Sequence, residues 1–396
     1  MKFTWLSNAP WAATGYGNQT ALFLPKLKAI GHDPACIAFY GLEGSPISWN
    51  GIQVYGKGLT AWGLDVADAH TNHYGARVCI SLVDAWVIRP DAFVSGVKWI
   101  PWFPIDQEPL PPPVADMVRQ AYRRIVFSKF GQRMVEEAGM DCYYVPHGVD
   151  TEIYSPVNRK EARDKLEWPH DRYIVGMVAA NKGAPSRKAL FQHIEAFASF
   201  KRKHPDAALY LHTTKGEQGE MGGVNLIEFI AYQGLTHTTL GRPDTDTNAD
   251  VWFCDQYINM LGFPPLYMQH VYSAMDVHAL VSMGEGFGIP TLEAQACGTP
   301  VIVSGWTASE ELCFSGELVD KKNAYPYWTP LAAYQYLPNV GAIASAFERA
   351  YQKPGSSEKA RKGALAYDAD LVVEKYWTPV LNEIEQDVAL WEGEVK

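Results

Sequence analysis

A chain of 396 residues, 47% hydrophobic, 13% aromatic and 20% charged, has the composition of a folded protein of about two domains rather than a disordered one. Its 34 basic and 44 acidic residues leave a formal charge of −10, which disfavours non-specific coating of nucleic acid. Six cysteines stand singly, with no C-x-x-C pair, so neither a zinc site nor a disulfide framework is signalled and a reducing, cytoplasmic setting is expected. The opening MKFTWLSNAPW turns polar after six residues, too soon for a signal peptide. No apolar run approaches the roughly 18 residues of a membrane span, so no stable membrane insertion is expected.

Short apolar runs alternate with amphipathic stretches, the pattern of a parallel sheet covered by helices. Residues 3–7 read as a buried strand, 8–17 as a loop, and 18–30 as a helix that Gly31 ends and Pro25 kinks. Strands are expected at 35–39, 78–82, 97–101 and 125–128, then at 143–145 after a helix over 130–138. Between the third and fourth lies FPIDQEPLPPP (103–113), whose proline density predicts a shaped loop. PHGVDTEIYSPVNR (146–159) has turn chemistry and reads as an interdomain linker. A second series follows: a strand over 173–179, a helix over 188–203, strands at 208–212 and 277–281, a helix over 291–297 and a strand at 300–304. Helical stretches close the chain, the last over 371–390.

The most informative segment is SMGEGFGIPTLEAQACGTPVIVS, residues 282–304. A strand delivers the chain to a turn in which Gly284, Gly286 and Gly288 allow a ligand close to the backbone, and Pro290 suits the first turn of the next helix. A helix N-terminus behind such a turn favours a phosphate. Glu285 on the turn and Glu293 in the helix place carboxylates beside that anion site, where they can accept hydrogen bonds from sugar hydroxyls. The competing reading is a tight strand–helix turn carrying two surface glutamates.

Here the residues carry a resemblance. EGFGIPTLEAQACGTPVI resembles the E-x7-E signature of retaining GT-B glycosyltransferases of family 4, the glycosyl transferases group 1. VPHGVDTEIYSP (145–156) resembles that family's linker, with His147 where asparagine is usual. KALFQHIEAF (188–197) resembles the helix opened by its phosphate-binding lysine, and YSAMDVHALVS (272–282) the strand entering the signature. The fold implied is α/β with GT-B architecture: two Rossmann-like doubly wound domains, a cleft between them, and a C-terminal helix crossing back to the first. The acceptor domain would be residues 1–156 with 371–396, and the nucleotide-sugar donor domain 157–370.

By that resemblance the chain is a metal-independent retaining hexosyltransferase with no cofactor, using a nucleotide-diphospho-sugar (UDP- or GDP-sugar) as donor. Glu285 would contact the donor sugar and Glu293 the ribose. Backbone amides around Gly286, Phe287, Gly288, Thr291 and Leu292 would hold sugar and diphosphate. Lys182, Arg187 and Lys188, clustered within seven residues, would stabilise the leaving diphosphate. The family's arginine falls at Lys182, which leaves open the side chain that takes its role. Gly15, Tyr16 and Gly17 resemble the family's glycine loop beside diphosphate and acceptor. Where the family has a histidine, this chain has WFPIDQEP. Asp106 is nearest that place and Asp84 ends the neighbouring strand, so either could bind acceptor hydroxyls, Asp106 could act as a base, or both could simply cap turns.

Other readings compete. G-Y-G-N-Q-T is a degraded dinucleotide fingerprint with Thr20 as its third glycine. Asp244/Asp246 and Asp368/Asp370 have D-x-D spacing, but sit in a turn-rich loop and at a helix start, so no metal is expected. Arg119, Arg123, Arg124, Lys129 and Arg133, with seven of thirteen tryptophans in residues 1–102, offer charge and stacking for an acceptor platform, or else a solvated face and a core. A sugar-nucleotide epimerase, a cofactor-linked phosphorylase and a catalytically silent nucleotide-sugar-binding module share the scaffold. The expected acceptor is polar and soluble: a saccharide, a protein surface or a hydroxylated nucleobase, with nucleic acid entering only as a substrate for modification.

Overall fold

The computed structural model describes residues 1–216, 222–353, 355 and 357–394. The chain forms two compact units, Met1–Gly148 with Pro330–Ala333 and Tyr367–Lys396, and Val149–Thr329 with Tyr334–Ala366. The passage from first to second falls within the expected linker 146–159. Among the described residues no helix is long and apolar enough to cross a membrane.

The first unit holds an eight-stranded sheet. Its strands are β1 (Lys2–Asn8), β2 (Asp33–Glu43), β3 (Ile47–Trp49), β4 (Ile52–Lys57), β5 (Val78–Leu82), β6 (Lys98–Phe103), β7 (Ile125–Val126) and β8 (Tyr143–Tyr144). Their order is β3-β4-β2-β1-β5-β6-β7-β8, antiparallel between β3 and β4 and parallel elsewhere. The chain builds outward from β1 on one side and then from β5 on the other. That reversal opens a crevice at the carboxyl ends of β1 and β5, where doubly wound sheets bind ligands. From Phe3 onward β1 is wholly buried, as a central parallel strand covered on both faces must be.

Trp5, Trp102 and Trp377 meet in this core with ring centroids 5.0–5.6 Å apart. Trp377 comes from the closing segment, which is an interrupted helix rather than the continuous one expected over 371–390. A short helix Ala369–Val372 passes through a π turn, Val373–Trp377, into Thr378–Glu394. Pro379 follows the π turn and has no N–H to continue the ladder there. Residues 395 and 396 of the expected segment 371–396 lie outside the described residues.

The proline-rich stretch 103–113 is only partly a loop. Phe103 closes β6, and Pro112 and Pro113 open the helix Pro112–Val118, where a missing N–H leaves nothing unsatisfied.

The second unit holds β9 (Tyr173–Val178), β10 (Ala207–His212), β11 (His237–Thr239), β12 (Val251–Phe253), β13 (Val277–Leu280), β14 (Val301–Gly305) and β15 (Gly316–Asp320). The order β11-β12-β10-β9-β13-β14-β15 is parallel throughout, with its reversal between β9 and β13. Leu209, Leu211, Ala279 and Ile302 from the sheet pack with Ile194, Phe197 and Phe347 in its core. An antiparallel pair, β16 (Ala324–Trp328) and β17 (Tyr334–Pro338), stands apart from that sheet.

Candidate active site

In the second unit the loops that follow β9 and β13 meet at the sheet's reversal. The first carries Arg187 and Lys188, the second Glu285. Lys188 Nζ lies 2.5 Å from Glu285 Oε1 and Arg187 Nη1 lies 3.5 Å from Oε2. The two loops are also joined through backbone: Met283 N–H donates to the Arg187 carbonyl at 2.8 Å, and the Arg187 guanidinium donates to the Gly284 carbonyl. Burial alone would push the Glu285 carboxyl up, but Lys188 and Arg187 outweigh it and hold the group at about 2. Glu285 is therefore a carboxylate at any working pH. The structure brings Arg187 and Lys188 to Glu285 and leaves Lys182 exposed, in no ion pair among the described residues. Lys188 precedes the helix, which runs Leu190–Lys201 and not from 188 as expected.

Glu285 is also clamped by its backbone. Its N–H donates to Thr307 Oγ1 at 3.0 Å, and Ala308 N–H donates to its carbonyl at 3.2 Å. Thr307 adopts φ +55° to do this, an uncommon conformation for a β-branched residue and one that marks functional loops.

Beyond Glu285 the chain turns through Gly288, at φ +112°, into the helix Ile289–Ala296. The amides of Thr291 and Leu292, expected to face a ligand, both donate to the Gly288 carbonyl, at 3.0 and 3.2 Å. They close the first helical turn. The amides of Gly286, Gly288 and Ile289 have no intramolecular acceptor among the described residues, and Phe287 between them is buried. Glu293 lies inside: its carboxyl accepts from the Tyr272 hydroxyl at 2.7 Å. Burial raises it to about 7 against the opposing hydrogen bonds of Tyr272 and Tyr154. Both glutamates are buried, 5% and 9% exposed, which removes the reading of two surface side chains.

In the first unit Gly15, Tyr16 and Gly17 form the first turn of the helix Gly15–Ala29 rather than the end of a loop. Thr14 caps it, accepting from Gly17 N–H at 3.0 Å. A Cβ on residue 17 would come within 2.2 Å of the Ala12 carbonyl oxygen, so glycine is required by close packing. Asp84 follows β5 and Asp106 follows β6, both half-buried. With the glycine turn after β1 they occupy the carboxyl ends of three neighbouring strands. His147 is held within the unit, its ring centroid 4.1 Å from that of Phe127 and its Nδ1–H donating to Gln19 Oε1 at 2.9 Å. Gln19 also accepts from and donates to Gly148 backbone, so the pair fixes the chain at the unit's edge. Burial lowers His147 to about 3, which keeps it neutral.

The basic stretch is not a bare charged platform. Arg123 pairs with Asp387 at 2.8 Å, Arg124 with Asp141 at 3.3 Å, Arg119 with Asp116 at 3.7 Å and Arg133 with Glu137 at 3.8 Å. Trp5, Trp99 and Trp102 are core. Of the D-x-D acids, Asp368 caps a helix, Asp370 pairs with Lys26 at 2.6 Å and Asp246 accepts from Asn248 N–H. Among the described residues no group of three His, Cys, Asp or Glu side chains is placed to hold a metal ion. Thr307, Tyr272 and the buried His193 belong to the site's construction and went unread. His193 and Tyr272 lie inside the family-like segments 188–197 and 272–282 without being singled out there, and Thr307 lies outside any such segment.

Two doubly wound sheets in succession, the second with a glycine-turned helix start and a charge-paired glutamate at its reversal, define the class by fold as GT-B. Over 98% of this chain and 99% of the other, it superposes on sucrose-phosphate synthase of Thermosynechococcus elongatus with a TM-score of 0.73 at 16% identity. HepE of Anabaena in complex with UDP-glucose gives 0.67 at 17% identity, covering 96% of this chain and all of that one. Residues 236–326 match the family model for glycosyl transferases group 1. The curated D-inositol 3-phosphate glycosyltransferase of Segniliparus rotundus is 28% identical over 230 residues, 57% of this chain and 44% of that protein. Its counterpart in Saccharomonospora viridis is 34% identical over 204 residues, 51% and 43% of the two chains. The alignments thus span less than half of those relatives. On these matches the chain has the GT-B fold and is similar, over residues 236–326, to the glycosyl transferases group 1.

Proposed function

We propose that this protein is a retaining, metal-independent glycosyltransferase that moves a sugar from a nucleotide-diphospho-sugar to a soluble polar acceptor. The observation that carries the reading is the Lys188–Glu285 pair, a buried carboxylate and a half-buried ammonium at the strand reversal beside an open helix start. As the donor bond breaks, charge grows on the departing diphosphate. Lys188, Arg187 and the amides of Gly286, Gly288 and Ile289 are preorganised to receive it. A diphosphate that engages Lys188 frees Glu285 to accept hydroxyls of the donor sugar. Glu293, oriented by Tyr272, accepts from the ribose. The sugar passes through an oxocarbenium-like state, and the leaving phosphate takes the acceptor's proton.

UDP is the favoured donor base, since HepE of this fold is described in complex with UDP-glucose. Tyr16, Asp84 and Asp106 of the first unit are the candidates for binding the acceptor. Carboxylates suit hydroxyl-rich acceptors, and the names of the similar proteins (D-inositol 3-phosphate glycosyltransferase, sucrose-phosphate synthase) agree with small, hydroxylated partners. A thermal-shift panel of UDP- and GDP-sugars, followed by slow hydrolysis of the hit, tests this. Binding without hydrolysis would identify a silent binding module.

A further inference from the structure

We propose that His193 is a positioning residue for the reaction centre, the buried tie that holds the Lys188 loop and the Glu285 loop in register. The inference rests on the transferase reading of that centre and adds a residue to it. His193 lies one turn into the helix Leu190–Lys201 and is 0% exposed. Its Nδ1 is 2.9 Å from the Ala189 carbonyl, which can only accept, so Nδ1 carries the proton. Its Nε2 is 3.0 Å from Val281 N–H, which can only donate, so Nε2 is bare. Both contacts are satisfied by one neutral tautomer and no other, and burial lowers the group to about 4, which preserves it.

The two atoms it grips are placed for effect. Ala189 follows Lys188 directly and adopts φ +52°, a left-handed backbone that a residue with a Cβ disfavours. Its carbonyl accepts from His193 twice, from the ring and from the backbone N–H at 3.1 Å. Val281 is the first residue beyond β13, four before Glu285. The ring therefore spans the reversal between β9 and β13 and fixes, through backbone alone, where Lys188 and Glu285 begin. An apolar side chain of the same bulk would fill the space and leave Val281 N–H buried without a partner.

The experiment compares the native protein with His193→Leu, with UDP-glucose as probe. The expected result is a fall in kcat for donor hydrolysis of about tenfold or more with KM within about threefold, because misplaced groups slow the chemistry more than they weaken binding. Ala189→Gly, which accepts the left-handed backbone without a grip, added to His193→Leu restores a measurable part of kcat. Amide exchange in His193→Leu accelerates at residues 187–190 and 281–285 and not across the rest of the second unit. An unchanged kcat with unchanged exchange, or acceleration throughout the unit with no rescue by Ala189→Gly, overturns the proposal. If the native protein neither binds nor hydrolyses any nucleotide sugar, the transferase reading fails separately. The positioning then stands or falls on the exchange pattern alone.

Discussion

Lys188 Nζ sits 2.5 Å from Glu285 Oε1 across 97 positions of sequence, and the pair is the charge centre around which the second unit's loops are arranged. A pair with a buried carboxylate is costly to break by removing the lysine, because the remaining buried charge loses its partner. It persists where a ligand can take over one half of it, and a diphosphate is suited to replace Glu285 at Lys188.

Lys188→Ala should therefore lose transition-state stabilisation of about 2–4 kcal/mol in kcat/KM, the range for one preorganised charge donor. Arg187 reaches the same carboxylate at the longer 3.5 Å, and Arg187→Ala should lose less, but measurably. Steady-state kinetics on the donor check both. Small, equal losses would move the phosphate site elsewhere.

Glu293 gives the pH dependence. Its folded value is raised to about 7 from 4.5, so the group stays protonated in the folded chain after it would ionise in the unfolded one. That contribution to stability is full below about pH 4.5 and is lost as pH rises through about 7. The ligand-free protein should lose melting temperature between about pH 4.5 and 7, and Glu293→Gln should flatten that slope. Glu285 runs the other way: depressed to about 2, it contributes stability above the usual carboxylate range that is lost only as pH falls through about 2. If ribose hydroxyls donate to Glu293, UDP binding near neutral pH also releases protons, which calorimetry in two buffers of different ionisation enthalpy measures.

The glycine turn and its two glutamates in the second unit were legible because their residues are contiguous. Glycines, the helix start and both glutamates fall within 284–293, and Arg187 and Lys188 are adjacent. Strand 78–82 was read to the residue, since a short run rich in β-branched and apolar side chains and bounded by polar positions is too short for a helix. Less legible were features that depend on long-range contact. The backbone clamp from Thr307 and the tie from His193 involve positions that sequence spacing does not connect. The amides of Thr291 and Leu292 looked available until the turn at Gly288 was seen to bind them both. The β3–β4 hairpin carried a readable signal, Asn50-Gly51 between apolar residues, with both at positive φ in the fold. Prolines misled at 112 and 113, where they open a helix instead of excluding one.

Asp106→Asn tests the acceptor assignment. Asp106 and Asp84 lie at the carboxyl ends of adjacent strands β6 and β5, and removal of one charge should raise acceptor KM or lower kcat for transfer while donor hydrolysis is little altered. Equal impairment of hydrolysis and transfer, or activity confined to membrane-embedded lipid, would count against a soluble polar acceptor.

Activity should also persist in excess EDTA, because Lys188, Arg187 and a helix start occupy the role a divalent ion would have. Complete loss restored by magnesium would return attention to Asp244 and Asp246.

The most direct measurement of the central claim is donor hydrolysis and UDP affinity in Glu285→Gln. The carboxylate is assigned to the sugar and not to the nucleotide. Hydrolysis and transfer should fall to background while UDP binds within a few-fold of the native protein, by the same thermal-shift and calorimetric assays. Near-normal turnover in Glu285→Gln would contradict the assignment of this site to glycosyl transfer.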